Sequence, residues 1–475
     1  MYKKKIYLND QSIILYFSEL PFFDNSKTIV FGAPLNLKKN NLVAFDSLKG
    51  YWVKLEISKN SLKITNDILG GYRVYYFKNK CEIIISDDFD YILNQFKIKP
   101  KKHAVEYKYW QKHGFSTGQS TFYKGLNKIS PASILTIEET SIKEDSYFSD
   151  IDRKPDARLH QKSIHNDLLD TFSLIKTSDK RIVLLFSGGK DSCLLLQYLL
   201  KFKIPFTPVF FRLKSMSIYG SQDLIRVRNA SKSLGLNLEE IEIDLKTLPI
   251  SLKQEILNKQ RFDKHFSLLH YMGNNEIKNR FGGNCLIVNG QSADSILSYG
   301  PSEDSIMSFF RRHIMYNSNS ILSKIGLILL TLKTGKRFKL PKTENEKLIA
   351  LFDEYKYTRV LDCSLDQAYF DYIFDFIERK TSHLKSYFSK EMYTKILSFS
   401  QGSDNQVVVN SSKYYGLKTI MPFATPKIIY ETIRFKDEKK EINKPKYVVE
   451  NILKKEFNFD YKKIIETKVK VKTKN

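Results

Sequence analysis

Cysteine is scarce in this sequence. The 475 residues contain four, Cys81, Cys193, Cys285 and Cys363. No two of them stand at the spacing of a metal-ligand pair, so the sequence gives no indication of a cysteine-bound metal centre. Widely scattered, unpaired thiols are typical of proteins in a reducing compartment. We therefore expect a cytoplasmic protein.

Long apolar runs are also missing. The stretch 325–332 is among the longest, and it is far shorter than the roughly 18–20 residues of a membrane-spanning helix. The first six residues carry charge and are not followed by an apolar core, so no signal peptide is predicted. The sequence therefore predicts no membrane partner.

Acidic residues are outnumbered. There are 52 Asp and Glu against 77 Lys and Arg, which gives a formal net charge of +25. Such an excess can indicate a nucleic-acid partner. Here it is mostly lysine spread along the whole chain among many Ile, Asn and Tyr, which is more simply a compositional habit of the source organism. Nucleic acid is the disfavoured interpretation.

The sequence does have the composition of a folded protein and one informative stretch. It is 42% hydrophobic and 13% aromatic, and its length suffices for two or three folded domains. In the stretch 184–193, Leu-Leu-Phe-Ser-Gly-Gly-Lys-Asp-Ser-Cys, an apolar run predicts a buried parallel strand at 182–186. Residues 193–200 predict a helix against it. The turn between them is a cradle for phosphate, because glycines let backbone N–H groups approach a ligand and a helix N-terminus attracts anions.

This run resembles the pyrophosphate loop of the ATP pyrophosphatase superfamily. It lacks the Gly-Lys-Ser/Thr ending of a Walker loop. The resemblance implies that ATP is a ligand and that AMP transfer, not kinase chemistry, takes place. The loop residues that it assigns to nucleotide binding are Ser187, Gly188, Gly189, Asp191 and Ser192, with Lys190 as a catalytic candidate.

The chain after residue 150 alternates strands with helices. The predicted strands are 182–186, 207–211, 238–243 and 285–289, and the predicted helices are 160–177, 193–200, 221–234 with Ser221 as its cap, and about 263–280. This alternation predicts a parallel sheet with right-handed crossovers, in which the loops after the strands meet at one ligand-binding edge.

A second motif, 290–297, follows the fourth predicted strand and opens on the same edge. An acid beside a polyphosphate is repelled unless a cation lies between them, so Asp191 implies Mg²⁺. Gly290, in the turn, is predicted to bind the nucleotide, and Asp294 supplies a second carboxylate. Taken alone, Asp294 is more simply an acid at a helix N-terminus. Together with the first loop, it predicts that Asp191 and Asp294 hold one Mg²⁺.

The Gly-x-x-Ala-Asp turn is similar to that of asparagine synthetase and β-lactam synthetase. It stands about a hundred residues after the first loop. Three positions depart from the asparagine synthetases. Gln291 replaces a glutamate and cannot act as a base, Lys190 replaces a leucine, and Thr425 stands where an acid is expected. The resemblance therefore implies an acceptor other than aspartate.

The N-terminal part, over roughly 42–149, looks like the glutaminase domain of these amidotransferases, a sandwich of the N-terminal-nucleophile class. That family uses a cysteine at the start of the mature chain, whereas this sequence starts Met1-Tyr2-Lys3 and its first cysteine is Cys81. We expect a degenerate glutaminase fold kept as scaffold. The expected division is 1–150 for this sandwich and 151–475 for a Rossmann-like ATP pyrophosphatase domain with added C-terminal helices, an α/β and α+β protein.

The C-terminal region resembles the same family at two places. Residues 443–448 are similar to its lysine-rich helix start, and 464–468 to the site of its late lysine, which stabilises charge at the α-phosphate. Lys468 is the choice for that lysine, although Lys470 and Lys472 stand in the same basic tail.

The function that these motifs indicate is an ATP-dependent carbon–nitrogen ligase. It adenylates a carboxylate substrate and transfers the acyl group to free ammonia or an amine, without glutamine hydrolysis. The alternatives are a tRNA lysidine or thiolation enzyme with the same loop, and a catalytically inactive binding homologue. The partners expected are therefore small molecules, and a homodimer is left open.

Overall fold

A computed structural model of the chain describes residues 1–8, 11–37, 47–79, 82–101, 104–113, 116, 118–148, 157–214, 218–259, 267–297, 320–352, 360–402, 404–434 and 446–461. In this part of the chain, no helix is both long and apolar enough to cross a bilayer.

The N-terminal part is built from two sheets packed face to face. Their strands are β1 (Tyr2–Leu8), β2 (Gln11–Phe17), β3 (Phe23–Asp24), β4 (Thr28–Gly32), β5 (Trp52–Ile57), β6 (Ser61–Asn66), β7 (Tyr75–Lys78), β8 (Glu82–Ser86), β9 (Leu126–Lys128), β10 (Ser133–Glu138) and β11 (Ile142–Ser146). One sheet has the order β1-β2-β8-β7-β9 and the other β11-β10-β6-β5-β4-β3.

Alternation of buried and partly exposed residues along β2 explains this packing. Every second residue of β2 is buried, because successive side chains of a strand point to opposite faces. The ring of Phe17 stacks on that of Phe31 from the other sheet, with centroids 4.0 Å apart. Helices α1 (Phe89–Phe96) and α2 (Val105–His113) cover the outer face of the first sheet, where Ile84 and Phe89 share a second cluster.

A five-stranded parallel sheet follows. Its strands are β12 (Arg181–Leu185), β13 (Phe206–Leu213), β14 (Glu239–Ile243), β15 (Cys285–Val288) and β18 (Lys418–Ile420), in the order β14-β13-β12-β15-β18. The associated helices are α3 (Ala157–Lys176), α4 (Lys190–Lys201), α5 (Ile218–Ser233), α6 (Ile250–Lys259), α7 (Ser267–Phe281) and α8 (Ala293–Ile296). The predicted parallel sheet is confirmed, and the ends of its four predicted strands are each within two residues of those observed.

Two sequence-based helix starts were wrong, and one strand was missed. Helix α4 begins at Lys190, three residues before the predicted start, because the second half of the turn already has helical geometry. Helix α5 begins at Ile218, so Ser221 lies inside the helix and is not its cap. Strand β18 was not predicted at all, because its three residues are too few to show a pattern.

Helices fill the remaining C-terminal region. They are α9 (Ile321–Thr334), α10 (Glu344–Phe352), α11 (Gln367–Thr381), α12 (Tyr387–Gly402), α13 (Asp404–Tyr414), α14 (Pro426–Arg434) and α15 (Tyr447–Phe457), with a small sheet of β16 (Phe338–Lys339) and β17 (Leu361–Asp362). Helix α13 packs on α7, and α15 packs on α4. The second contact brings the C-terminal segment to the loop after β12.

The two sheet systems are joined by a buried ion pair. Nζ of Lys49 lies 2.9 Å from Oδ1 of Asp167 on α3 and also donates to Oγ1 of Thr171 at 3.0 Å. Oγ1 of Thr425 donates to the second oxygen of Asp167. Satisfied in this way, the charges fix the N-terminal sheets against α3. The predicted domain boundary at residue 150 falls in 149–156, outside the described residues.

Candidate functional site

A cavity of about 570 Å³ lies at the carboxyl ends of β12 and β15. These two strands are neighbours at the middle of the sheet, with Leu184 paired to Val288. From β12 the chain runs outward on one side through β13 and β14, and β15 and β18 lie on the other side. The crevice where a parallel sheet reverses its strand order is the common place for a ligand.

The turn after β12 needs glycine at one position. Gly188 has φ +67°, and a Cβ there would lie 3.0 Å from Cα of Val227 and 3.1 Å from the carbonyl oxygen of Arg226. A side chain at this position would therefore be strained and would push the loop away from α5. Nε of Arg226 donates to the carbonyl oxygen of Ser187 at 3.3 Å, which holds the loop from the same side.

The first turn of α4 offers its N–H groups to the cavity. Gly189 is its N-cap and, in the described part of the chain, no side chain caps it. The hydroxyls of Ser187 and Ser192 lie 3.3 Å apart on either side of the turn. Unpaired N–H groups and the helix dipole make such an N-terminus attractive to a phosphate group.

Two acidic side chains from different loops meet at one lysine. Nζ of Lys446 lies 2.6 Å from Oδ2 of Asp191 and 2.8 Å from Oδ1 of Asp294. Asp191 is in the first turn of α4, and Asp294 is in the first turn of α8. Helix α8 starts after Ser292, which has φ +71° and whose hydroxyl donates to Oδ1 of Asn405. The loops after β12 and β15 are thus held at one point.

Burial and charge act against each other at this cluster. Burial raises the pKa of Asp191 to about 6, and the nearby Lys446 ammonium counteracts this. Burial also disfavours the charge of Lys446, but the two carboxylates outweigh it and raise the pKa of this lysine. The ammonium therefore stays charged at neutral pH and balances one of the two carboxylate charges.

The acid pair fits a Mg²⁺ ion that is shared with a phosphate ligand. Oδ1 of Asp191 is buried and accepts no hydrogen bond from any described residue. Protein sites for Mg²⁺ commonly supply one or two carboxylates and leave the other positions to water and substrate phosphates. Within the described ranges, no group of three or more His, Cys, Asp and Glu side chains forms a complete protein cage.

The other end of the cavity is mostly apolar. Val209, Phe211, Leu269 and His270 line it. The ring of Phe211 lies flat on Gly273, where a Cβ would be 2.4 Å from the nearest ring atom. The rings of Phe211 and His270 meet edge-on, with centroids 6.2 Å apart. Burial lowers the pKa of His270 to about 4, so its imidazole is neutral at physiological pH. This end suits a flat, uncharged ring.

The C-terminal segment packs against the loop after β12. The Lys190 ammonium forms an ion pair with Glu450 of α15. The hydroxyl of Tyr461 donates to the carbonyl oxygen of Gly188 at 3.1 Å. Residues 446–461 therefore hold the loop after β12 in addition to α5.

Most of the site residues that the sequence predicts are brought together here. The cavity is lined by Ser187, Gly189, Lys190, Asp191, Ser192, Gly290 and Asp294, and Gly188 forms the turn beneath them. Thr425 is buried against Asp167 and does not line the cavity. Lys468 and Cys81 lie outside the described residues.

The site residues that sequence reasoning missed include Lys446, Arg226, Tyr461 and His270. Lys446 carried a signal, because its segment resembled the lysine-rich helix start of the synthetases. The sequence could not show that its ammonium meets Asp191 and Asp294. The other three carry no pattern that separates them from ordinary surface or core residues.

Comparisons with known proteins add little. No protein-family model and no curated protein matches the chain. Solved structures with some similarity include an NH3-dependent NAD synthetase from Campylobacter jejuni, with 16% identity and a TM-score of 0.22 over 48% of this chain and 97% of that one. A glutamine-dependent NAD+ synthetase from Acinetobacter baumannii has 12% identity and a TM-score of 0.22, over 76% of this chain and 80% of that one. A glutamine PRPP amidotransferase from B. subtilis has 7% identity and a TM-score of 0.15, over 54% of this chain and 50% of that one. TM-scores this low establish neither fold nor function.

Proposed function

We propose that this protein is an ATP-dependent ligase that activates a carboxylate as an acyl-adenylate and passes it to ammonia or an amine. The observation that carries the proposal is the convergence of Asp191 and Asp294 on one cation beside the N-terminus of α4. A cradle of N–H groups next to an acid pair suits a polyphosphate with its metal ion. The apolar end with Phe211 and His270 suits the base of the same nucleotide.

The chain's own groups have distinct tasks in this chemistry. N–H groups of the first turn of α4 and the hydroxyls of Ser187 and Ser192 bind the β- and γ-phosphates. Asp191 and Asp294 would hold Mg²⁺, which would neutralise phosphate charge and help pyrophosphate to leave. The ammonium of Lys446, which contacts both acids, would stabilise negative charge on the phosphates. Lys190, paired with Glu450, lies at the same end.

The reaction has two balanced steps. A carboxylate oxygen attacks the α-phosphorus, and the bond between that phosphorus and the bridging oxygen breaks, releasing pyrophosphate. A nitrogen lone pair then attacks the acyl carbon, and the bond from this carbon to the AMP oxygen breaks. The amine proton goes to water or to a substrate group, because the Gln291 amide in the cavity wall cannot accept it.

The test is to identify the products. The full chain is incubated with ATP, Mg²⁺, ammonium and a panel of sugar acids, amino acids and β-amino acids, and nucleotides are separated by chromatography. AMP and pyrophosphate in equal amounts are expected, and exchange of labelled pyrophosphate into ATP is expected with the acid alone. ADP and phosphate would contradict the proposal. AMP formed only with transfer RNA would favour the RNA-modifying alternative, and no turnover with tight ATP binding would favour the inactive one.

A further inference from the structure

Helix α9, none of whose residues lines the cavity, has an exposed apolar stripe. Five of its side chains are large, hydrophobic and exposed by 41–76%: Ile321, Ile325, Ile328, Leu329 and Leu332. Their spacing of three and four residues puts them on one side of the helix, within an arc of about 100°. Exposed hydrophobic residues that stand singly are normal, but a continuous stripe indicates a binding surface.

The two borders of the stripe are basic. At 3.6 residues per turn, Lys324 lies on one border and Lys333 on the other, and both side chains are exposed. The opposite face of α9 is the one that packs on the protein, where Gly326 and Leu330 are buried. The stripe therefore points outward, with an ammonium group on each side.

The surrounding sequence is basic throughout. From 321 to 343 there is no Asp or Glu, and the basic residues are Lys324, Lys333, Lys336, Arg337, Lys339 and Lys342. We propose that the apolar stripe of α9 inserts into the interface of an anionic lipid membrane, with the helix axis parallel to the surface. A helix in this position buries its apolar face among the acyl chains near the headgroups, and its border lysines reach lipid phosphates.

Charge favours lipid over the other possible occupants. In a dimer through this stripe, the lysine borders of the two copies would face each other and repel. A nucleic acid would pair with the lysines but would leave the five hydrophobic side chains in water. The short apolar runs of the sequence exclude only a membrane span, and a helix lying flat needs no such length, so this proposal replaces the expectation of no membrane partner.

The proposal is independent of the ATP site and is tested without nucleotide. The full chain is mixed with sucrose-loaded vesicles of neutral phosphatidylcholine, or with vesicles that also contain phosphatidylglycerol, and then sedimented. We expect binding to the anionic vesicles, weaker binding at high salt, and about tenfold weaker binding by Ile328→Gln/Leu332→Gln. The matched control is Ile250→Gln, which changes a side chain of 86% exposure outside α9 and should bind like the wild type.

A second measurement covers the case in which the double variant folds poorly. Leu332→Trp places an indole in the stripe, and its fluorescence should shift to shorter wavelength with anionic vesicles only. A wild-type protein that stays in the supernatant with anionic vesicles would overturn the proposal. So would equal loss of binding in the Ile250→Gln control. A dimer in light scattering that Ile328→Gln/Leu332→Gln dissociates, without vesicle binding, would instead assign the stripe to a second copy.

Discussion

Asp191 and Asp294 come from loops after two neighbouring strands and contact the same ammonium group, that of Lys446. A pair of carboxylates this close is unfavourable unless a cation separates them. The lysine supplies that cation in the protein alone. A metal ion with a polyphosphate would supply it in the complex that we propose.

The first prediction concerns the acid pair. Asp191→Asn and Asp294→Asn should each lower pyrophosphate release by roughly a hundredfold or more, because each removes a charged metal ligand. Product formation with the acid substrate found in the panel measures this. Asp170→Asn is the matched control, since Asp170 is exposed on α3. Full activity of either acid-pair variant would rule out the metal site.

The second prediction concerns Lys446 in the protein without ligand. Lys446→Met should lower the free energy of unfolding by about 1–3 kcal/mol, because two carboxylates then lose their common partner. Millimolar Mg²⁺ should raise the Tm of this variant more than that of the wild type, since the ion takes the place of the ammonium. Lys454→Met, which changes an exposed lysine of α15, should behave like the wild type in both measurements. An equal Mg²⁺ effect on all three proteins would speak against a site between the acids.

The third prediction separates backbone strain from close packing. Gly188→Ala and Gly235→Ala both put a Cβ at positive φ, +67° and +62°, but nothing lies within 4 Å of a Cβ at Gly235. Gly235→Ala should therefore lower the free energy of unfolding only by the backbone strain, about 1 kcal/mol. Gly188→Ala should lower the free energy of unfolding by more than this. It should also weaken ATP binding about tenfold or more, because the loop must move from Val227. Calorimetric titration with ATP and Mg²⁺ measures the affinity, and unchanged affinity in Gly188→Ala would mean that the turn does not bind phosphate.

The fourth prediction concerns pH and His270. Its pKa is lowered from 6.5 to about 4 by burial, so between these values the unfolded chain binds a proton that the folded one does not. Stability therefore falls as the pH drops from 6.5 to 4, by about 2–3 kcal/mol for this one group. His270→Asn should be less sensitive to acid over that window. Parallel curves of Tm against pH for the two proteins would show that this imidazole is not buried in the neutral form.

The fifth prediction concerns the ion pair between the sheet systems. Lys49→Met should lower the free energy of unfolding by about 3 kcal/mol, because Asp167 is left buried without its cation. Lys63→Met, which changes an exposed lysine of β6, should change it by less than about 0.5 kcal/mol. Separate unfolding transitions in Lys49→Met, where the wild type has one, would show that the pair couples the two parts.

Much of the parallel sheet could be predicted because its signals are local. The apolar run of β12, the glycine turn and the apolar residues of α4 lie within about twenty residues, and each has a regular pattern. The starts of helices α4 and α5 were predicted less accurately. The start of α4 was placed too late because Lys190 and Asp191 carry no apolar signal, although their position next to Gly189 already favours the first turn of a helix.

The sequence by itself determined the glycine turn after β12 and the two acids that accompany it, since strand, turn and helix are decided by residues close together in the chain. Only the tertiary structure decided that Lys446 contacts both acids, that Phe211 and His270 form the apolar end of the cavity, and that the apolar side of α9 points outward. These relationships depend on how helices and strands distant in sequence pack on one another. Packing depends on the shape and charge of whole surfaces, which no short pattern of residues contains.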